Sequence, residues 1–125
     1  MTPFGRRVRE LRQARRIILK DMAAAVGVSS AYLSALEHGK RGKPPWYLVL
    51  RIVAYFNVIW DEAEELERLA QISDPRVTID TAGLLPESTE FANRLALHIA
   101  RLDAADLHEM LALLEKRLRQ KGETR

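Results

Sequence analysis

Apolar residues recur at helical spacing through the first 72 residues, and the pattern predicts five helices. Phe4, Val8 and Leu11 share one face of the first helix, whose other positions are mostly arginine and other polar residues. Pro44 and Pro45 suit the first turn of the fourth helix, and acidic residues open the fifth, where they complement the helix dipole. The predicted helices cover residues 4–14, 19–26, 30–38, about 44–56 and 60–72.

Residues 19–39 are the most informative segment, because their small residues fall where two crossing helices need them. Gly27 permits the left-handed conformation that ends the second helix, and Ser29 can cap the third. Ala23 is small where the third helix must pass close. The apolar face that locks the pair is supplied by Val26, Val28, Leu33 and Leu36. A tight, roughly perpendicular helix pair of this kind is a helix-turn-helix, whose second helix is built to enter a DNA major groove.

Residues 73–86 break the helical pattern with two prolines and a glycine, and residues 76–80 alternate like a short extended segment. Two more helices are predicted after it, over about 87–102 and from the cap Asp103 to about 119. The sequence therefore predicts a helix-turn-helix domain at 1–72, a linker at 73–85 and a helical region at 86–125.

Each of the last two helices has one apolar face. Two helices of this size cannot bury both faces against each other alone, so we expect the same helical hairpin of a second subunit to complete the core. The predicted partner is therefore a second copy of the chain. The residues expected at this dimer interface are Phe91, Leu95, Ile99, Leu107, Leu111, Leu114 and Leu118.

Several motifs agree with one protein family at many fixed offsets. They are Phe4-Gly5-Arg6-Arg7-Val8-Arg9-Glu10-Leu11-Arg12, Met22-Ala23, Gly27-Val28-Ser29, Tyr32-Leu33-Ser34 and Leu36-Glu37-His38-Gly39-Lys40-Arg41. In these residues the chain resembles the XRE/Cro/phage-repressor group of helix-turn-helix proteins, over roughly residues 4–60. The resemblance implies an all-α fold: a five-helix lambda-repressor-like helix-turn-helix domain, followed here by a C-terminal helical hairpin for dimerisation.

One departure from that family lies at the start of the second helix. Similar proteins usually have Ser or Thr followed by Gln there, whereas this chain has Ile18-Leu19. The change removes a helix cap and a polar side chain that often touches phosphate.

The resemblance makes the third helix the DNA reader, since the amino-terminal residues of that helix approach base edges. Serine can exchange hydrogen bonds with several bases, and alanine can pack on a thymine methyl group. No residue of the set supplies the bidentate Arg–guanine or Gln–adenine contact, so direct readout is expected to be modest. The matching positions are Ser29, Ser30, Ala31, Tyr32, Ser34 and Ala35.

Charge is distributed unevenly along the chain. Residues 1–56 carry 11 Lys and Arg against three acidic residues, whereas residues 57–125 carry nine against 14. A basic half joined to an acidic half fits one surface that faces a polyanion and another that faces away. Glu37 is predicted to pair with an arginine of the first helix. The residues expected to contact phosphate are Lys40, Arg41 and Lys43, after the third helix, and Arg6 and Arg9 on the first.

Composition argues against catalysis, cofactors and bound metal. The chain has no cysteine, its three histidines lack metal-ligand spacing, and it contains no P-loop or GxSxG motif. No signal segment is recognisable, and the most apolar stretch, residues 47–60, is too short for a bilayer and contains Arg51. We expect that stretch to form a buried helix and the protein to be cytoplasmic, away from membranes.

These features together predict a dimeric, sequence-specific transcriptional regulator that binds double-stranded DNA, with repression as the default mechanism. Two other functions remain open. One is an antitoxin that neutralises a toxin through its C-terminal helices and autoregulates its operon. The other is a protein-interaction adaptor that has lost DNA binding, against which the basic half argues.

Overall fold

Every regular element is helical in the computed structural model, which describes residues 1–122. The helices are α1 (Pro3–Ala14), α2 (Leu19–Val26), α3 (Ser30–Glu37), α4 (Trp46–Phe56), α5 (Asp61–Gln71), α6 (Pro86–His98), a 3-10 turn (Ile99–Arg101) and α7 (Ala104–Gln120). The predicted all-α class is confirmed. Residues 76–80, expected to be extended, form no strand within the described range. None of these helices is both long and apolar enough to cross a membrane.

The predicted helix bounds hold to within two residues except in α6. That helix was predicted to continue to about residue 102 but ends at His98 and tightens into the 3-10 turn. Leu102 is extended, with ψ 136°, and Asp103, which caps α7, is extended too. An α-helix cannot continue into two extended residues, so its last turn narrows to the tighter winding that is common at helix ends.

The first compact unit, Met1–Thr78, encloses a core to which each of its five helices contributes. Phe4, Met22, Leu33, Ile52 and Leu66 come from α1 to α5 in turn, and each is at most 1% exposed. Burying a side chain of this size contributes about 1.5–3 kcal/mol. The core therefore fixes the positions of the five helices relative to one another.

The start of α1 is also tied to the chain beyond α5. Ser73 is 3% exposed, and its hydroxyl accepts a hydrogen bond from the Phe4 amide at 2.9 Å and donates one to the Leu69 carbonyl at 2.5 Å. Thr2 caps the same helix from its own side, with Oγ1 accepting from the Gly5 amide at 3.0 Å. Ser73, the first residue of the predicted linker, is thus packed into this unit.

Residues 47–60 do not form the wholly buried helix that was expected. α4 is amphipathic: it turns Leu48, Val49, Ile52 and Phe56 to the core. Tyr47 on its other face is 58% exposed, and Ile59 and Trp60 lie beyond the end of the helix at 65% and 80% exposed. A helix at the edge of a core buries one face only, so an apolar composition alone overstates its burial.

The second compact unit begins at Ile79 and contains α6 and α7. Asp103 and Asp106 form a capping box at the start of α7. The Asp103 carboxylate accepts a hydrogen bond from the Asp106 amide at 2.8 Å, and the Asp106 carboxylate accepts one from the Asp103 amide at 3.1 Å. Neither helix has a buried residue, and Phe91 is 70% exposed. The described residues of one chain therefore form no closed hairpin core, and dimerisation through these helices stays a prediction.

Candidate nucleic-acid interface

The turn between α2 and α3 has the geometry that the sequence predicted. Gly27 adopts φ 82°, in the left-handed region, and the Val28 amide donates to the Ala23 carbonyl at 2.9 Å. Ser29 caps α3, its hydroxyl accepting from the Tyr32 amide at 3.0 Å. These three local features end one helix and start the next within three residues.

α3 divides into a buried face and an open face. Leu33 and Leu36 are buried in the core, whereas Ser29, Ser30 and Ala31 at the amino-terminal end are exposed. The remaining residues predicted to face bases, Tyr32, Ser34 and Ala35, are half-buried. The structure thus brings the predicted set together at one end of α3 and along its flank, and their contact with DNA stays a prediction.

A buried ion pair anchors the carboxyl-terminal end of α3 to α1. Arg12 donates to both carboxylate oxygens of Glu37, at 3.2 Å from Nε and 3.1 Å from Nη2. The third guanidinium nitrogen donates to the Ile17 carbonyl at 3.2 Å. The predicted pairing of Glu37 with an arginine of the first helix is confirmed. A bidentate contact of this kind fixes the relative orientation of the two side chains as well as the distance between them.

Gly5 allows α1 to approach the end of α3 very closely. A Cβ atom at Gly5 would lie 2.3 Å from the Glu37 carbonyl oxygen, which is backbone and cannot swing aside. The glycine in the Phe4-Gly5-Arg6 motif therefore has a packing role. It lets the buried ion pair form across a short gap between the two helices.

The three cations of the loop after α3 have different surroundings. Lys40 is exposed, and Arg41 lies over the ring of Tyr32, with its guanidinium carbon 5.4 Å from the ring centroid. Lys43 instead donates to Gln71 Oε1 at 2.9 Å. The loop therefore contacts both α3 and the end of α5. Phosphate contact by these three residues stays a prediction.

Tyr47 and Arg51 on α4, which are not among the residues predicted from the sequence to contact DNA, extend the surroundings of Tyr32. The Arg51 guanidinium carbon lies 5.2 Å from the Tyr47 ring centroid, and Nη1 donates to the Val26 carbonyl at the end of α2 at 3.4 Å. An aromatic residue and an arginine four positions apart on a helix are neighbours, which is the sequence signal that could have indicated this contact.

The surroundings of Tyr32 disfavour ionisation of its hydroxyl. Burial raises the pKa of Tyr32 above its ordinary value of 10, the nearby Tyr47 raises it further, and Arg41 opposes both effects. At neutral pH the phenol keeps its proton, as an ordinary tyrosine does, and can donate a hydrogen bond to a phosphate or a base.

The arginines in α1 and at its carboxyl-terminal end form two groups, those that contact other residues of the domain and those without an ion pair. Arg7 contacts Glu10, Glu62 and Glu65 at 3.2–3.5 Å, and Arg15 donates to the Phe56 carbonyl while lying over its ring. The two arginines predicted to contact phosphate have no ion pair within residues 1–122, Arg6 being exposed and Arg9 half-buried. Their contact with phosphate stays a prediction.

The start of α2 lacks a side-chain cap, as expected from Ile18. That residue is the N-cap, makes no capping hydrogen bond and is 59% exposed. An apolar side chain at this helix start offers no hydrogen bond to a phosphate.

No group of three or more His, Asp or Glu residues within residues 1–122 is placed to hold a metal ion. A shallow depression at the start of α5 is lined by acidic side chains and Arg68. Two of those carboxylates, Glu62 and Glu65, already contact Arg7. The depression is therefore an extension of the α1–α5 contact.

A family model described as a helix-turn-helix domain matches residues 3–69, which include all of α1 to α4 and most of α5. The chain belongs to this helix-turn-helix domain family. The narrower resemblance to the XRE/Cro/phage-repressor group stays a prediction.

Two curated relatives come from Bacillus subtilis (strain 168). The chain is 39% identical over 61 residues to a protein named uncharacterized HTH-type transcriptional regulator RghRB, covering 49% of this chain and 44% of that protein. It is 43% identical over 44 residues to the HTH-type transcriptional repressor RghR, covering 35% of this chain and 33% of that protein. The matches therefore span less than half of either relative. No solved structure matches the chain.

Proposed function

We propose that this protein is a dimeric, sequence-specific transcriptional repressor that binds double-stranded DNA with α3 in the major groove. The observation that carries the proposal is the exposed amino-terminal turn of α3. Ser29, Ser30 and Ala31 project there from a helix whose opposite face is buried and whose far end is anchored by Arg12. A rigidly held helix with small polar residues at its open end suits entry into a groove.

Phosphate binding and base reading fall to different residues in this proposal. Lys40, Arg41, Arg6 and Arg9 supply positive charge for the phosphate backbone, with Lys43 near the same path. Phosphate contacts position the protein on the duplex, and contacts to base edges select the sequence. The neutral Tyr32 hydroxyl, at the junction of the two groups, is suited to donate a hydrogen bond to either.

Regulation by repression is inferred partly from the two relatives, one of which is named a transcriptional repressor. The simplest mechanism is occlusion of a promoter, because catalytic and cofactor motifs are missing from the sequence. The same proposal places the protein in the cytoplasm. The two relatives come from a bacterium, and bacterial DNA lies in that compartment.

Dimerisation through α6 and α7 completes the proposed function. A two-fold dimer presents two copies of α3, so its operator should be nearly palindromic, with half-site centres roughly 34 Å, or a multiple of that distance, apart. The open apolar residues of both helices support this part of the proposal.

Selection of bound sequences from a random pool of duplex DNA tests the proposal directly. The 125-residue chain should enrich a near-palindromic site, and a variant with Ser30→Ala and Tyr32→Ala should enrich a different or weaker one. Recovery of the random pool unchanged by the wild-type protein, at low and at physiological salt, would contradict sequence-specific binding.

A further inference from the structure

α7 carries a stripe of four leucines, three of which are exposed in the described chain. Leu107 is half-buried, and Leu111, Leu114 and Leu118 are 61%, 56% and 44% exposed. At 100° per residue, these positions fall within about 60° of one another around the helix axis. Their spacing of four, three and four residues is that of the apolar seam of a coiled coil.

The spacing of the stripe is the same when it is read from either end. A second α7 that runs antiparallel therefore places Leu107 opposite Leu118 of the partner subunit and Leu111 opposite Leu114 of the partner subunit. The centre of this arrangement falls between residues 112 and 113. Every leucine of the stripe then meets a leucine, and each contact occurs twice, as the two-fold symmetry of an isologous interface requires.

Charge along α7 distinguishes an antiparallel pair from a parallel one. Residues 103–109 carry three acidic residues and no Lys or Arg, whereas residues 116–121 carry four basic residues and none that is acidic. Glu115, between the two, already pairs with Arg119 at 2.9 Å. A parallel pair would place like charges together at both ends, and an antiparallel pair places opposite charges together. Single exposed pairs contribute little, but like charges brought together disfavour the wrong orientation.

We propose that α7 pairs antiparallel with α7 of a second copy, through this leucine stripe, about a two-fold axis between residues 112 and 113. The inference rests on the proposed homodimer and adds its orientation and register. It commits to a second copy as the partner because α7 is complementary to itself in both spacing and charge.

Single cysteines test the register, since the natural chain contains none. In the antiparallel pair, the two copies of residue 107 are separated along the axis by 11 residues, about 16 Å. A disulfide needs Cα atoms within about 7 Å, so Leu107→Cys alone and Leu118→Cys alone should give no covalent dimer on oxidation. The two variants, unfolded together, refolded and oxidised, should give the mixed disulfide dimer. Ala112→Cys, on the other side of α7, is the matched control and should not cross-link.

A disulfide dimer from Leu107→Cys alone would overturn the antiparallel register. Lack of the mixed disulfide in a chain that sediments as a dimer would overturn α7 as the pairing helix. Sedimentation of the mixed variants before oxidation is the control for loss of the dimer, since each variant replaces one of the four leucines. A wild-type chain that sediments at 14.3 kDa at micromolar concentration would contradict the homodimer itself, and DNA selection tests DNA binding independently.

Discussion

Glu37, the last residue of α3, accepts two hydrogen bonds from the guanidinium of Arg12 on α1 while being only 2% exposed. The pair joins the proposed reading helix to the first helix of the domain at a point that water scarcely reaches. Attraction between the two charges offsets the cost of burying them, and loss of either partner leaves the other charge uncompensated.

Replacing Glu37 with Ala should lower the free energy of unfolding by about 3 kcal/mol, because the guanidinium of Arg12, whose side chain is 13% exposed, loses its carboxylate partner. Urea denaturation followed by circular dichroism measures this loss. Glu10→Ala is the matched control: it breaks a contact with Arg7 in which Glu10 is 55% exposed, and should cost less than about 1 kcal/mol. Equal losses for the two variants would show that burial of the pair has no energetic role.

Replacing Gly5 with Ala should destabilise the domain by about 1–3 kcal/mol, since the added methyl group must displace the Glu37 carbonyl or move α1 away from it. The midpoint of thermal unfolding should fall accordingly. Gly42→Ala provides the comparison, because a Cβ there meets no atom within 4 Å. A Gly5→Ala variant as stable as Gly42→Ala would contradict the close helix approach.

Changes at Ser30 and Tyr32 should alter which operator is preferred. Ser30→Ala is expected to cost on the order of 1–3 kcal/mol at a contacted base pair and little elsewhere. Tyr32→Phe keeps the ring that lies under Arg41 and removes only the hydroxyl, so it isolates the hydrogen bond. Affinities for a set of single-base operator variants distinguish the roles. A uniform fall across all sequences would mean that these residues position α3 and do not read bases.

Lys40→Gln combined with Arg41→Gln should weaken binding to specific and random DNA alike and leave the preferred sequence unchanged, because phosphates carry no direct sequence information. Each lost phosphate contact reduces the magnitude of the slope of log affinity against log salt by roughly 0.9. A dimer that loses two contacts in each subunit should therefore show a slope smaller in magnitude by about 3.6. Affinity across a salt series measures the slope. Arg68→Gln with Arg76→Gln removes the same charge outside the loop. A slope unchanged by the loop variant would make Arg6 and Arg9 the leading candidates for phosphate contact.

The local features of the domain could be predicted from sequence, and the contacts between distant residues mostly could not. The end of α2 at Gly27 and the cap at Ser29 depend on residues a few positions apart, so the sequence shows them directly. The stacking of Arg41 on Tyr32 depends on the path of an irregular loop. Burial in α4 was overestimated because a run of apolar residues does not reveal which face meets the core.

The hydrogen bond from the Phe4 amide to Ser73 gives α1 a cap that comes from 69 residues further along the chain. A helix normally satisfies its first amides with side chains of its own opening turn, as Thr2 does for Gly5. Here the acceptor for one amide of the first helix lies in the chain beyond the last of the five helices. A fragment that stops at residue 72 would leave a buried amide without an acceptor, at a cost of about 1–3 kcal/mol. Ser73 therefore contributes to the stability of the five-helix unit from outside its helices, and a chain that ends before it should unfold at a lower temperature than one that includes it.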